Sequence, residues 1–310
     1  MGGERTHAVR RRSLALCIAG LVLALFGLVD SSAYAERQML GARAVALGGA
    51  LRASAAGTAG PILNPAAMSL TRTYVMGAIY QYRGADGAHQ LHFSIVDSLT
   101  SRIAAGIFYG YSRARPQQTL SVQPALPFTE TFATHEAGLS LSAPLGEMLM
   151  IGVTGKYLRH RSSLPEGVQL EATSINTGTV DVGGVFRLAK FRLAVVGKNL
   201  VAIDDPAFAR TLGLGLAVDL GKLLLGFDSA LDFSSADRVK ASYHGGAEIF
   251  LARAYAIRLG VEHDTLYERS HISFGGALIG PKIGLECGIR QTVAGGVETQ
   301  VATALKLYMR

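Results

Sequence analysis

The sequence predicts an all-β chain, one antiparallel transmembrane β-barrel of about 14 strands with an N-terminal plug in its lumen. Three observations predict it. An export signal opens the chain, no later stretch is long and apolar enough to cross a bilayer as a helix, and alternating segments of strand length follow from residue 73. The chain is 49% hydrophobic and only 17% charged, where about a quarter is usual, so much of its surface does not face water. A closed barrel can hold such surface in a bilayer because every backbone N–H and C=O is paired between strands.

The N-terminus has the three parts of a secretory signal. Arg10, Arg11 and Arg12 form a positive region, Leu14 to Val29 is an apolar run of 16 residues, and Ala33-Tyr34-Ala35 is an A-x-A cleavage site. The run is shorter than a membrane anchor needs, so cleavage is expected after Ala35. Residues 1–35 are then the signal peptide, 36–72 the plug and 73–310 the barrel. Cleavage leaves Cys287 as the only cysteine, which excludes an internal disulfide and a cysteine-based zinc cluster. The formal charge of +7 is spread along the chain without a basic block, so no nucleic-acid partner is expected.

Gly41 to Leu70 is built almost entirely from small or apolar residues, with Arg43 and Arg52 as its only charges. Residues this small let backbone pack against backbone in a confined space. Near its end, Asn64 and Pro65 have the chemistry of an N-cap followed by a first helical residue, so a short helical turn is predicted from Ala66.

The predicted strands are 73–82, 87–97, 101–111, 131–142, 148–159, 174–188, 191–200, 209–219, 221–232, 239–251, 254–263, 270–278, 282–291 and 297–308. Most have the length that crosses a bilayer when tilted. In 254–263, Tyr255, Ile257, Leu259 and Val261 share one face, and Arg258, Gly260 and Glu262 the other. A soluble sandwich would alternate in the same way, so periodicity alone does not decide. The links do. Long ones over 112–130 and 160–173 fall on one side, and links after even-numbered strands are short, as in bacterial barrels with tight periplasmic turns. An even strand count puts both barrel termini on the short-turn side, where a plug could enter.

Gly41-Ala42-Arg43-Ala44, Leu47-Gly48-Gly49-Ala50 and Asn64-Pro65-Ala66 resemble the N-terminal signature of the FadL-like outer-membrane barrels. Lys198-Asn199-Leu200 and the stretch from Leu231-Asp232 to Ile257-Arg258-Leu259-Gly260 look closest to the PorV-like branch. The resemblance implies an outer-membrane location and a lumenal hatch, with hatch and gating roles for Gly41, Arg43, Gly48, Gly49, Asn64, Pro65 and Ala66. It also implies passive transport of hydrophobic or amphipathic, fatty-acid-like molecules, with membrane lipid and such a ligand as partners. The alternative it implies is a non-transporting barrel that binds or shuttles secreted or surface proteins. The chain departs from the pattern at Ser54-Ala55-Ala56-Gly57, where many relatives carry an acidic pair.

Expected lumen-lining charges are Lys156, Asp181, Arg192, Asp228, Glu248, Arg258, Glu262, Lys282, Glu286 and Arg290, joined in prospect by Arg187 and Lys198. Their mixed signs favour a cross-strand network over a selectivity filter, which needs a ring biased to one sign. His89 and His92 sit three apart on one strand and so face opposite ways. The scattered His residues predict no metal site. No phosphate-loop, dinucleotide or nucleophile-elbow pattern occurs, so neither a cofactor nor enzymatic activity is expected. Tyr109, Tyr111, Phe128, Phe132 and Tyr255 are candidates for lipid-facing interfacial aromatics.

Overall fold

The structure is a computed structural model that describes residues 39–120, 126–164, 172, 174–203, 205–235, 238–252 and 254–309. The expected export signal lies outside these residues.

Among the described residues, sixteen strands follow one another. They are β1 (Tyr74–Arg83), β2 (Ala88–Asp97), β3 (Ala104–Ala114), β4 (Gln117–Leu120), β5 (Leu126–Thr129), β6 (Thr131–Leu145), β7 (Leu149–Ser163) and β8 (Ser174–Leu188). The second half contains β9 (Phe191–Lys198), β10 (Thr211–Asp219), β11 (Leu223–Asp232), β12 (Lys240–Leu251), β13 (Tyr255–Asp264), β14 (Arg269–Ile279), β15 (Ile283–Ala294) and β16 (Thr299–Met309). All but β4 and β5 form one closed antiparallel barrel of 14 strands, each paired with its neighbour in sequence. β1 closes the ring against β16, from Tyr74↔Met309 to Arg83↔Gln300. Closure matters physically because an open edge in hydrocarbon would leave a row of unpaired backbone groups.

The strand count agrees with the sequence reading, and most boundaries fall within a few residues of those expected. The link expected over 112–130 differs: β3 continues to Ala114, and β4 and β5 form their own hairpin from Gln117↔Thr129 to Leu120↔Leu126. β7 likewise continues to Ser163, shortening the link expected over 160–173. Such extended hairpins project the mouth of the barrel beyond the ring.

Burial alternates residue by residue along the wall. In β7, Ile151, Val153 and Tyr157 are exposed, while Met150, Gly152, Thr154, Leu158 and His160 are buried. In β13, Leu259 is 59% exposed and Arg258 1%. Large apolar side chains facing outward and charged ones facing inward invert the arrangement of a soluble domain. Such a surface is stable against hydrocarbon, as in lipid-facing barrel strands. Cys287 belongs to this outer face and is exposed.

The ring also has an apolar core on the inside. Leu40, Val45, Leu47, Leu51 and Leu63 from the segment before β1 are buried together with Ile79, Met150, Val185 and Ala302 of the wall. Each large side chain removed from water in this way stabilises by about 1.5–3 kcal/mol. The inner segment is a string of short turns: a helix over Ala42–Ala46, a 3-10 turn over Gly57–Ala59, a helical turn over Gly60–Leu63 and a 3-10 helix over Pro65–Leu70. At its exit, the Arg72 guanidinium donates to the carbonyls of Leu99 and Ser101, tying it to the β2–β3 turn.

Candidate functional site

Backbone-to-backbone packing places the inner segment in the half of the lumen nearer the short turns. Glycines on the inward face of the wall make the room. A Cβ on Gly246 would lie 2.6 Å from the Leu47 carbonyl oxygen, one on Gly226 2.5 Å from that of Ala50, and one on Gly77 2.7 Å from the Thr58 methyl. At Gly152, Gly183, Gly260 and Gly288 a Cβ would overlap atoms of the inner segment outright. Within the segment, Gly48 and Gly49 have φ of 61° and 88°, which bends it sharply after the Ala42–Ala46 helix. The sequence reading saw small residues in the segment alone. The matching glycines of the wall had a visible signal, since they occupy inward positions on strand after strand.

Polar side chains fasten the segment to the wall. Arg43 Nη2 donates to Glu248 Oε2 at 2.6 Å, and Glu248 Oε1 also accepts from Arg258 Nε at 2.7 Å. Glu286 continues the chain, 3.3 Å from Arg258 Nη2 and 2.9 Å from Lys306 Nζ. Asp228 forms a second fastening, accepting from the backbone N–H groups of Leu51 and Arg52 at 2.9 and 2.8 Å. Lys198 Nζ donates to the Ile62 carbonyl at 2.7 Å, and His244 Nδ1 lies 2.7 Å from the Gly48 carbonyl, which can only accept, so this nitrogen carries the proton. Asn64 caps the 3-10 helix by accepting from the Ala66 N–H at 3.1 Å, and its Nδ2 donates to the Arg52 carbonyl. Pro65 occupies the first helical position as predicted.

The expected lumen charges largely meet as opposite-sign pairs. Lys156 Nζ lies 2.9 Å from Asp181, and Arg290 Nη1 lies 2.6 Å from Glu262. Three expectations need correction. Lys282 is exposed in the β14–β15 turn, outside the inner wall, because the strand begins one residue later at Ile283. Arg192 has the inward parity but sits at the short-turn rim, paired with Asp219 at 2.5 Å, and Arg187 is exposed at the same rim. Among the aromatics, Tyr109, Tyr111 and Tyr255 face outward as expected, whereas Phe132 faces in and stacks on His160, with ring centroids 5.5 Å apart. The Phe128 side chain lies outside the described residues.

Between the inner segment and the long links, the lumen opens as a cavity of about 190 Å³ with Met39 and Arg52 on its floor. The 3-10 turn Pro206–Phe208 of the β9–β10 link reaches into it and sets Phe208 edge-on to His160. Leu158 and His92 line the same side. His92 stacks on Phe108 with centroids 5.4 Å apart, is only 4% exposed, and neither of its ring nitrogens has a protein hydrogen-bond partner. Ser94, two residues further along the inner face of β2, is also buried with its hydroxyl unpartnered. A buried polar group left in this way costs about 1–3 kcal/mol. Sequence reasoning placed His92 on the opposite face from His89, which is correct, but gave it no role.

No protein-family model matches the sequence, and neither does any curated protein. Among solved structures, the CymD monoaromatic hydrocarbon channel is similar with a TM-score of 0.68 at 13% identity, over 89% of this chain and 99% of that one. The P. putida toluene transporter TodX gives 0.65 at 12% identity, over 88% and 99%. A Pseudomonas aeruginosa FadL homologue gives 0.57 at 12% identity, over 90% and 99%. The chain therefore has the fold of the FadL-like outer-membrane barrels.

Proposed function

We propose that the protein sits in the outer membrane and lets hydrophobic or amphipathic small molecules cross passively, residues 36–72 acting as the hatch. The observation that carries this reading is a lumen filled at its short-turn end by small residues, beneath a partly aromatic vestibule open toward the long links. The long links face the exterior on this reading, since bacterial barrels keep their tight turns in the periplasm. Gly41, Gly48 and Gly49 give the hatch its bends, Arg43 fastens it to Glu248, and Asn64, Pro65 and Ala66 fix its final turn. Passage requires part of this packing to shift. The solved barrels of like fold that are a monoaromatic hydrocarbon channel and a toluene transporter support the same substrate class. Residues 1–35 would be removed on export, so sequencing of the mature N-terminus should begin at Glu36.

Uptake of radiolabelled toluene and a labelled fatty acid into proteoliposomes tests the proposal. The full mature barrel should exceed protein-free vesicles, and removal of residues 36–70 should change the rate severalfold. Uptake no faster than in protein-free vesicles would overturn it.

A further inference from the structure

We infer that the vestibule selects neutral aromatic molecules carrying a hydrogen-bonding substituent, and that His92 is the residue that reads the substituent. The inference rests on the reading of the vestibule as the ligand's entry and goes beyond it by naming what the site prefers.

Most charges lining the cavity are already engaged, Lys240 alone reaching no more than the Thr265 carbonyl, at 3.5 Å. Arg52 pairs with Asp228 at 3.3 Å, and Lys156 lies 2.9 Å from Asp181 and 3.8 Å from Glu136. Lys198 donates to the Ile62 carbonyl, while Asp232 and Asp264 accept from backbone N–H groups in the links that follow them. Apart from Lys240, at the long-link end of the cavity, a carboxylate entering this space would have to break one of these contacts to find a cation. A neutral molecule displaces none of them.

His92 is different in kind. A neutral imidazole offers one donor and one acceptor, and here neither is used by the protein although the ring is buried in the cavity wall. Phe108 stacks on one face of the ring, and both nitrogens, enclosed in the cavity wall, are left as its unused polar atoms. Around it, Leu158 and Phe208 provide apolar and aromatic surface suited to a planar ring. A phenol-type hydroxyl can donate to one nitrogen or accept from the other while its ring stays on that surface. The unpartnered Ser94 hydroxyl lies next along the same face of β2, toward the inner segment, and extends the row of available polar groups.

Calorimetric titration of the detergent-solubilised full barrel with p-cresol, toluene and benzoate tests the inference. p-Cresol should bind about tenfold more tightly than toluene, the typical worth of one buried hydrogen bond, and benzoate should bind most weakly. His92→Phe should abolish the preference for p-cresol and keep toluene binding, while His92→Gln, which retains a donor and an acceptor, should keep part of it. Heat-modifiable gel mobility shows that each variant is folded. Equal affinity for p-cresol and toluene, a preference that survives His92→Phe, or tightest binding of benzoate would each overturn the inference. Failed uptake with intact p-cresol discrimination would sink the transport reading alone, and successful uptake without discrimination would sink this one alone.

Discussion

The two sides of the lumen solve the problem of an inward-facing wall in opposite ways. On the β11–β16 side, nearly every charged group meets a partner: Glu248 lies between Arg43 and Arg258, Glu286 between Arg258 and Lys306, and Glu262 beside Arg290. On the β2–β7 side the mouth is lined by stacked rings, with His92 on Phe108 and Phe132 on His160. The first wall clamps the inner segment, because a buried charge that loses its partner is costly. The second makes weak, undirected contacts through those rings. One region is built to hold and the other to receive.

That contrast can be broken or sharpened by substitution, from the largest effect to the smallest. Glu248→Ala should destabilise most, by about 3–5 kcal/mol, since it strands Arg258 and Arg43 without their shared carboxylate. Denaturant titration of the detergent-folded barrel measures it, and a loss below about 1 kcal/mol would mean the pair is screened by water. Gly260→Val should cost about 1–3 kcal/mol or expel the inner segment, because the new side chain meets the backbone at Leu47 and Gly48 and neither can swing away. Limited proteolysis near residues 41–57 reads the expulsion. Asn64→Ala should cost about 1 kcal/mol through loss of the cap on Ala66, with the same titration as readout. His92→Phe should leave stability unchanged or slightly raised, because the nitrogens it removes have no protein partner. A large loss there would show that the aromatic wall also holds the fold together.

Much of the architecture was legible in the chain because a barrel strand announces itself locally. Tyr255, Ile257, Leu259 and Val261 alternate with Arg258 and Glu262, and the link lengths fixed the parity of the termini. Asn64-Pro65 was equally legible, since a cap needs only the next few residues. Phe132 was misplaced because an apolar side chain does not say whether lipid or another ring will cover it. Lys282 was misplaced because alternation carries through a turn on paper and stops there in space.

The sequence by itself determined the strand count, the outward apolar face and the small-residue character of the segment at Gly41 to Leu70, all properties of neighbours along the chain. Only the tertiary structure decided that Glu248 would be shared by Arg43 and Arg258, that wall glycines from β1 to β15 would receive that segment, and that His92 would be buried beside Phe108 without a partner. Those pairings join residues as distant in the chain as Ala42 and Gly288, and closure of the ring sets them through a register that no short stretch encodes.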